Sequence, residues 1–223
     1  MMVGVLLAAG ASTRMKSPKA LAKVGSASYL SIGVQHLWSA CSAVVAVLGA
    51  DGAAIQKSAE AEFTRLAETG LLQIDMAAAL KRGVKGFEVH FEKNPRWKSG
   101  MLSSAQAGLR SALVFKPKAV LVLPVDHPSV SSATIVELAA VLVQAVAACR
   151  TPAEKRSLCY ALVPRHKGRR GHPLALSPAL AAAIAADKQA EDLGDAVRRN
   201  ARLVGYLDVN DAGILRNVNR PGD

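Results

Sequence analysis

The sequence predicts an α/β protein in which helices pack against a mostly parallel sheet. Three apolar runs of strand length, at residues 3–9, 43–49 and 119–125, lack the polar alternation of a sheet with one wet face. Such runs are typical of strands that are buried on both faces. Apolar residues make up 51% of the chain but aromatic residues only 4%, which suits an aliphatic core between helices and sheet.

The remaining elements follow in chain order from periodicity and from helix-start residues. Further strands are predicted at 87–92 and 157–164, and helices at 29–40, 51–68, 131–148, 178–187 and 190–200, with Ser131 as a cap. Residues 70–86 show the weakest secondary-structure pattern. Their basic cluster, Lys81, Arg82 and Lys85, is interpreted as a solvated face in preference to the rim of a site for an acidic substrate. A chain of 223 residues suits one domain, spanning 1–223.

The charge of the chain predicts an anionic ligand. A net charge of +11 and an isoelectric point near 9.9 favour anionic partners. Because the cationic residues are dispersed and no zinc-finger or RNP-like pattern occurs, we expect a phosphorylated small molecule and no nucleic acid.

Cysteine use and hydropathy indicate a cytoplasmic protein. The chain has an odd number of cysteines, Cys41, Cys149 and Cys159, and no C-x-x-C motif. This indicates reduced thiols and neither a disulfide framework nor a zinc site. The first residues lack the basic segment of a signal peptide, and the longest apolar helix candidate is interrupted by Glu137 and Gln144. We therefore expect no membrane segment.

The loop that follows the first strand has the composition of a phosphate-binding loop. Residues 10–13 are small, so backbone N–H groups can approach an anion closely, and Arg14, Lys16 and Lys19 supply positive charge. Neither the P-loop pattern nor the dinucleotide-binding G-x-G-x-x-G occurs here. The alternative is an ordinary strand-to-helix turn whose basic residues are solvated.

Asp126 is the candidate metal ligand. It follows the most strand-like run of the chain, and the carboxyl ends of buried parallel strands are where open α/β sheets bind ligands. One carboxylate that faces a phosphate loop is chemically adequate for Mg²⁺, which substrate phosphates also coordinate. Asp126 before His127-Pro128 could otherwise be a turn residue, and we assign His127 no chemistry.

Two more loops carry candidate binding residues. Small and hydroxylated residues at 99–104, after Asn94, form a natural anion or ribose site at a helix start, although Ser99 or Ser103 could equally be a helix cap. Residues 165–174 hold six cationic or potentially cationic side chains around two glycines, which could be a solvated hairpin or a site for a phosphate.

Several of these motifs resemble one family. The chain has Leu7-Ala8-Ala9-Gly10, Arg14-Met15 and Lys19. It thus resembles the MobA-like nucleotidyltransferases, which open with L-A-[AG]-G-x-[GS]-x-R-[MF]-x-x-x-K. Within that family it most resembles the molybdenum cofactor (molybdopterin) cytidylyltransferases. The Asn94 to Ser104 loop with Gly108 in the following helix, the D-x-P at 126–128 and the G-H-P at 171–173 match three further signatures. The resemblance implies a Rossmann-like three-layer α/β/α fold.

The resemblance also implies roles for single residues. Arg14, Lys19 and Asp126 would be catalytic, with Mg²⁺ on Asp126 and Asn219, and the acceptor would lie against Arg170, Gly171 and His172. The nucleotide would be bound by residues from three loops: Leu7, Ala8, Ala9, Gly10, Ser12, Arg14, Lys19, Asn94, Gly100, Ser103 and Ser104.

The tail departs from the family pattern. Residues 208–223 resemble the ending D-x-G-x-L-x-D-[IV]-[DN]-T-P-E-D, but Asn217 and Asn219 stand at two acidic positions and Arg220 at the Thr position. An amide keeps an oxygen ligand and loses a charge, so metal binding should weaken unless substrate phosphates compensate.

The sequence thus predicts an enzyme that transfers a nucleoside monophosphate from an NTP to a phosphate-bearing acceptor and releases pyrophosphate. Ala9, where guanylyltransferases of the family tend to have Gly, favours CTP, and the resemblance favours molybdopterin as acceptor with a molybdoenzyme or its maturation chaperone as a further partner. The alternatives are a sugar- or alcohol-phosphate nucleotidyltransferase and a catalytically weak nucleotide-binding module.

Overall fold

The structure is a computed structural model and describes residues 1–10, 18–69 and 88–218. Its strands are β1 Met2–Ala8, β2 Lys23–Val24, β3 Ala27–Ser28, β4 Ala43–Leu48, β5 Glu88–Lys93, β6 Ala119–Pro124, β7 Tyr160–His166, β8 Arg169–Arg170, β9 Leu174–Leu176 and β10 Leu203–Asp208. Its α-helices are α1 Tyr29–Trp38, α2 Gly52–Glu68, α3 Met101–Leu113, α4 Ser132–Ala147, α5 Pro152–Ser157, α6 Pro178–Ala186 and α7 Leu193–Asn200. Short 3-10 turns cover Lys19–Leu21, Trp97–Ser99 and Ala212–Leu215.

The main sheet has the order β10-β7-β9-β6-β1-β4-β5, and β8 pairs with β7. Neighbours are parallel except for β9, which runs antiparallel to β6 and β7, and β8, which forms a hairpin with β7. In register, Leu7 of β1 lies beside Pro124 of β6, so the carboxyl ends of these central strands open onto the same edge of the sheet. The predicted mostly parallel α/β sheet is therefore confirmed.

Alternate residues of the central strands enter two different cores. On β1, Leu6 belongs to the hydrophobic cluster shared with α1 and α4, whereas Val5 belongs to the cluster shared with α3 and α6. Helix α3 packs closely on the sheet at Gly108, where a Cβ atom would overlap Val5 Cγ1. Helices thus cover both faces of the sheet, which explains why the three strand runs contain so little polar alternation.

Some predicted boundaries and elements are wrong. The strand expected at 157–164 begins at Tyr160, because Thr151 and Glu154 form a capping box that starts α5. The last helix begins at Leu193 and not at 190, because the Asp192 side chain caps it by accepting from Asp195 N–H. The hairpin β2–β3 and the strands β9 and β10 were not predicted.

Other predictions fall on residues outside the described ranges. Among them are the basic residues Lys81, Arg82 and Lys85, and Phe87 at the start of the predicted third strand. Within the described ranges, none of the helices combines the length and the apolar character that a membrane crossing requires.

Candidate active site

A cavity of about 520 Å³ opens at the carboxyl ends of β1 and β6. Four chain segments line it: the end of β1, the Lys19–Leu21 turn, the loop that leads into α3 and the end of β6. Its described lining residues are Leu7, Ala8, Ala9, Gly10, Lys19, Trp97, Lys98, Gly100, Met101, Ser104, Pro124, Val125 and Asp126. The position, outside the carboxyl ends of parallel strands, is the usual ligand site of open α/β sheets.

Lys19 and Asp126 meet in this cavity although 107 positions separate them in the chain. Lys19 Nζ lies 3.1 Å from Asp126 Oδ2, and the two side chains are 20% and 17% exposed. Asp126 is the only carboxylate among the described lining residues. The register of the sheet places the end of β6 beside the end of β1, which brings this carboxylate close to the segment that follows β1.

The loop before α3 is held together by Asn94, which is 3% exposed. Its Nδ2 group donates to Ser103 Oγ at 2.9 Å and Ser104 Oγ at 3.0 Å, and its Oδ1 atom accepts from Arg96 N–H at 3.0 Å. Of these residues only Ser104 is among the described lining of the cavity. Asn94 and Ser103 therefore shape the wall, and Ser104 reaches the cavity itself.

Neither Ser99 nor Ser103, which the sequence left open as possible caps, caps α3. Gly100 occupies the N-cap position with φ +96, in the left-handed region that favours glycine, and no side chain caps the helix. Ser103 Oγ lies within hydrogen-bond distance of the Arg96 and Gly100 carbonyl oxygens, at 2.8 and 2.9 Å, so its hydroxyl is used inside the loop.

Two apolar side chains, one in this loop and one at the first position of α3, line the cavity and were not predicted as site residues. Trp97 and Met101 contribute the large apolar surface of its wall, and Met101 is 49% exposed. Lys98 Nζ lies 5.6 Å from the centroid of the Trp97 ring, close enough for a cation–π contact. A tryptophan in a loop between a strand and a helix was the available sequence signal.

A pair of histidines lies beside Asp126. The rings of His127 and His172 are 4.9 Å apart in an edge-on arrangement, and in the described part of the chain the Nδ1 atoms of both lack a hydrogen-bond partner. Burial, and then the neighbouring His127, lower the pKa of His172 from its ordinary 6.5 to about 4, against the opposing effect of Asp126. Burial also lowers the pKa of His127. No local sequence pattern indicated this pair, because 45 residues separate its two members.

The lowered pKa of His172 predicts a loss of stability in acid. Because the folded pKa lies below the unfolded one, the unfolded chain binds more protons between pH 6.5 and 4. The stabilisation is complete above pH 6.5 and is lost as the pH falls toward 4, up to about 3 kcal/mol. Urea unfolding from pH 7 to 4.5 should show this slope, and His172→Gln should flatten it, whereas His90→Gln, at a half-buried histidine outside the pair, should not. An unchanged slope in His172→Gln would contradict the assignment.

The predicted acceptor residues do not form one surface. Gly171 and His172 adjoin the tail, because His172 N–H donates to the Ile214 carbonyl at 3.0 Å and a Cβ atom at 171 would overlap the same oxygen. Arg170 is exposed on β8, where its guanidinium lies 5.9 Å from the ring centroid of Tyr206.

The tail returns to the site. Val218 N–H donates to the backbone carbonyl of Asp126 at 2.9 Å, and Asn217 is exposed. Three predicted site residues, Ser12, Arg14 and Asn219, lie outside the described residues. Within the described ranges, no group of three or more His, Cys, Asp or Glu side chains is arranged to hold a metal ion.

The structure is that of an α/β protein with a cavity at the carboxyl edge of its sheet, where open α/β sheets usually bind ligands. The chain belongs to the MobA-like NTP transferase domain family, whose model matches residues 4–203. No curated protein sequence matches the chain significantly.

Three solved structures illustrate the fold. Rv0371c from Mycobacterium tuberculosis H37Rv is 18% identical with a TM-score of 0.67, and the match covers 98% of this chain and 93% of that one. The 4-diphosphocytidyl-2C-methyl-D-erythritol synthase of Anaerococcus prevotii is 12% identical, with a TM-score of 0.62 and coverage of 98% and 90%. Molybdopterin-guanine dinucleotide biosynthesis protein A of Archaeoglobus fulgidus is 17% identical, with a TM-score of 0.56 and coverage of 99% and 93%.

A second structure of Rv0371c, in complex with manganese, is 19% identical to this chain, with a TM-score of 0.59. The match covers 93% of this chain and 88% of the Rv0371c chain. At these identities the likeness shows a shared fold.

Proposed function

We propose that this protein is a Mg²⁺-dependent nucleotidyltransferase that moves CMP from CTP to the phosphate of a molybdopterin-type acceptor and releases pyrophosphate. The observation that carries the proposal is the Lys19–Asp126 ion pair in a cavity at the carboxyl edge of the sheet, in a chain of the MobA-like family. A cation and a carboxylate at this place are the two charges that a metal-assisted transfer between phosphates needs.

The donor set fits a hard divalent cation. Asp126 presents a carboxylate to the cavity and already holds a cationic group, the Lys19 ammonium, at 3.1 Å. Mg²⁺ is commonly bound by one or two carboxylates together with substrate phosphates, so one protein carboxylate is sufficient. We assign the carbonyl oxygen of the Asn219 side chain as a second ligand, because Val218 is hydrogen-bonded to the backbone of Asp126. The manganese complex of Rv0371c supports a divalent metal in this fold.

When bound, the metal ion would neutralise phosphate oxygens and polarise the α-phosphorus toward attack. The chain's own residues do the positioning. Asp126 would hold the metal ion, and through it the phosphates, at the edge of the sheet. Lys19, whose carboxylate partner would then also bind the metal, would turn its ammonium toward the departing pyrophosphate. We propose that Arg14 also stabilises the negative charge of the departing pyrophosphate.

The rest of the cavity suits a nucleoside. The segment 7–10 brings backbone N–H groups and little side-chain bulk, which lets phosphates approach the chain closely. Trp97 and Met101 offer an apolar wall to a base or ribose, and Ser104 offers a hydroxyl. We assign Ser12 and Gly100 to nucleotide contacts as well, and Asn94 with Ser103 to support of the wall.

The acceptor would approach from the side of the histidine pair. Gly171 and His172 lie next to His127, which follows Asp126 directly, so an acceptor phosphate at this place would be close to the metal site. Arg170, exposed on the hairpin, would contact an outer part of the acceptor.

Ala9 is the residue on which the base preference rests. It lines the cavity, and its methyl group would narrow the space for a purine more than for a pyrimidine. In competition between CTP and GTP, we expect wild type to prefer CTP and Ala9→Gly to lose part of that preference. One methyl group in a pocket is worth about 1 to 3 kcal/mol. A wild-type preference for GTP, or an unaltered preference in Ala9→Gly, would refute the base assignment.

The proposal is tested by pyrophosphate release with a panel of NTPs and acceptors in the presence of Mg²⁺. We expect release with CTP and molybdopterin together and little with either alone. Release with a sugar or alcohol phosphate as acceptor would replace the molybdopterin assignment. Nucleotide binding without release under any combination would favour the binding-module alternative.

A further inference from the structure

Asp211 ties the tail to the start of helix α4. Its Oδ2 atom accepts hydrogen bonds from Ser131 N–H at 2.9 Å and from the Thr134 hydroxyl at 2.8 Å. Its Oδ1 atom accepts from Gly213 N–H at 2.8 Å. A carboxylate is well placed at this point, because the N-terminus of a helix carries unpaired N–H groups and a partial positive charge.

The segment that starts at this anchor reaches both sides of the active site. Ile214 is fully buried in the core, and its carbonyl accepts from His172 N–H at 3.0 Å. Four residues later, Val218 N–H donates to the Asp126 carbonyl at 2.9 Å. The segment 211–218 is therefore a strap that connects the loop of Asp126 to the loop of His172.

The strap has little freedom to shift at its anchored end. A Cβ atom at Gly213 would overlap the Ser129 carbonyl oxygen, so the strap lies directly on the loop that leads into α4. His127 also has a hydrogen bond with the backbone of Gly213, which opposes the lowering of its pKa by burial. Helix α4, Asp211 and the loop of Asp126 are thus linked through hydrogen bonds.

We propose that Asp211 is a positioning residue: it fixes the strap so that Val218 stays hydrogen-bonded to the backbone of Asp126 and the Asp126 carboxylate keeps its place in the cavity. This inference rests on the proposed function, since it concerns the metal site of that reaction. Asp211 itself does not line the cavity in the described part of the chain, so it acts through the strap and not by contact with substrate.

The isosteric variant Asp211→Asn separates this role from simple packing. The three groups that donate to the carboxylate are Ser131 N–H, the Thr134 hydroxyl and Gly213 N–H. An asparagine side chain has only one oxygen to accept these bonds. In either orientation of the amide, its NH₂ group therefore faces at least one backbone N–H and cannot bond to it. The shape of the side chain is kept while at least one anchor bond is lost. Asp208→Asn is the matched control, because Asp208 lies in the same tail but is exposed and paired with Arg165.

Two measurements read out the position of the strap. We expect the Val218 amide to exchange with solvent faster in Asp211→Asn by NMR. We also expect the affinity for Mn²⁺, measured by electron paramagnetic resonance with CTP present, to fall by about 10-fold, as is typical when a partner of a metal ligand is removed. Asp208→Asn should match wild type in both.

The outcomes distinguish failure of this inference from failure of the proposed function. Unchanged Val218 exchange, or Mn²⁺ affinity equal to wild type in a folded Asp211→Asn protein, would overturn the positioning role. If wild type binds no Mn²⁺ with any nucleotide, the proposed function fails, and Val218 exchange alone decides whether Asp211 positions the strap. Should Asp211→Asn not fold, Thr134→Val removes one anchor bond, and unchanged Val218 exchange in it would overturn the role equally.

Discussion

Asp126→Asn is expected to lower turnover by about 10²-fold to 10³-fold while the protein remains folded. The substitution keeps the shape of the side chain and removes the charge that would hold the metal ion and its phosphates. Stability should change little, because the carboxylate lies in the cavity and the backbone carbonyl keeps its bond to Val218 N–H. Steady-state pyrophosphate release and thermal unfolding followed by circular dichroism measure the two effects.

Glu137→Gln provides a matched control for Asp126→Asn, because Glu137 is an exposed carboxylate on α4. It should behave as wild type in both assays. If Asp126→Asn retains turnover within about twofold of wild type at saturating Mg²⁺, the metal assignment fails. A variant that unfolds would instead show that the Lys19–Asp126 ion pair is structural, although partly exposed pairs contribute only about 1 kcal/mol or less.

Lys19→Ala is expected to lower kcat by about 10²-fold and to change the Kd for nucleotide much less. A charge-assisted contact to the leaving pyrophosphate becomes stronger as that charge develops, so its loss affects the transition state more than the bound substrate. Single-turnover rates and nucleotide titration by calorimetry separate the two quantities. The exposed Lys23, at the start of β2, gives the control variant Lys23→Ala.

A contrary pattern for Lys19→Ala would also be informative. If Kd rises and kcat is unchanged, Lys19 binds ground-state nucleotide and does not assist the departure of pyrophosphate. If both quantities are unchanged, the lysine serves only as a partner of Asp126.

The central part of the fold was predictable because its signal is local. The runs that form β1, β4 and β6 are buried on both faces, so almost every position is apolar. The edge strand β10 is largely exposed, with Leu203 at 57% and Tyr206 at 44%, and it lacks such a run. Strand β9 has three residues, and its antiparallel pairing with β6 and β7 depends on contacts that no local pattern encodes.

The site was predictable to a similar extent. Lys19 and Asp126 were each identified from a loop at the end of a strand, and the parallel register of β1 and β6 brings such loops together. The contacts among Asp126, His172 and the tail join segments far apart in the sequence, so the histidine pair and the Asp211 anchor emerged only from the structure. The sequence predicted Trp97 to be a loop residue, but it did not indicate that the Trp97 side chain lines the cavity.

In the proposed reaction, the bond to the α-phosphorus of the nucleotide is broken and remade in the Lys19–Asp126 cavity. The most direct measurement follows CTP labelled at the α-phosphorus, with molybdopterin and Mg²⁺, in wild type and in Asp126→Asn. The proposed reaction requires that wild type transfers the label to the acceptor in proportion to the pyrophosphate released, and that Asp126→Asn binds CTP but transfers almost none. Label that remains entirely in CTP with wild type, or transfer that proceeds equally well in Asp126→Asn, would contradict it.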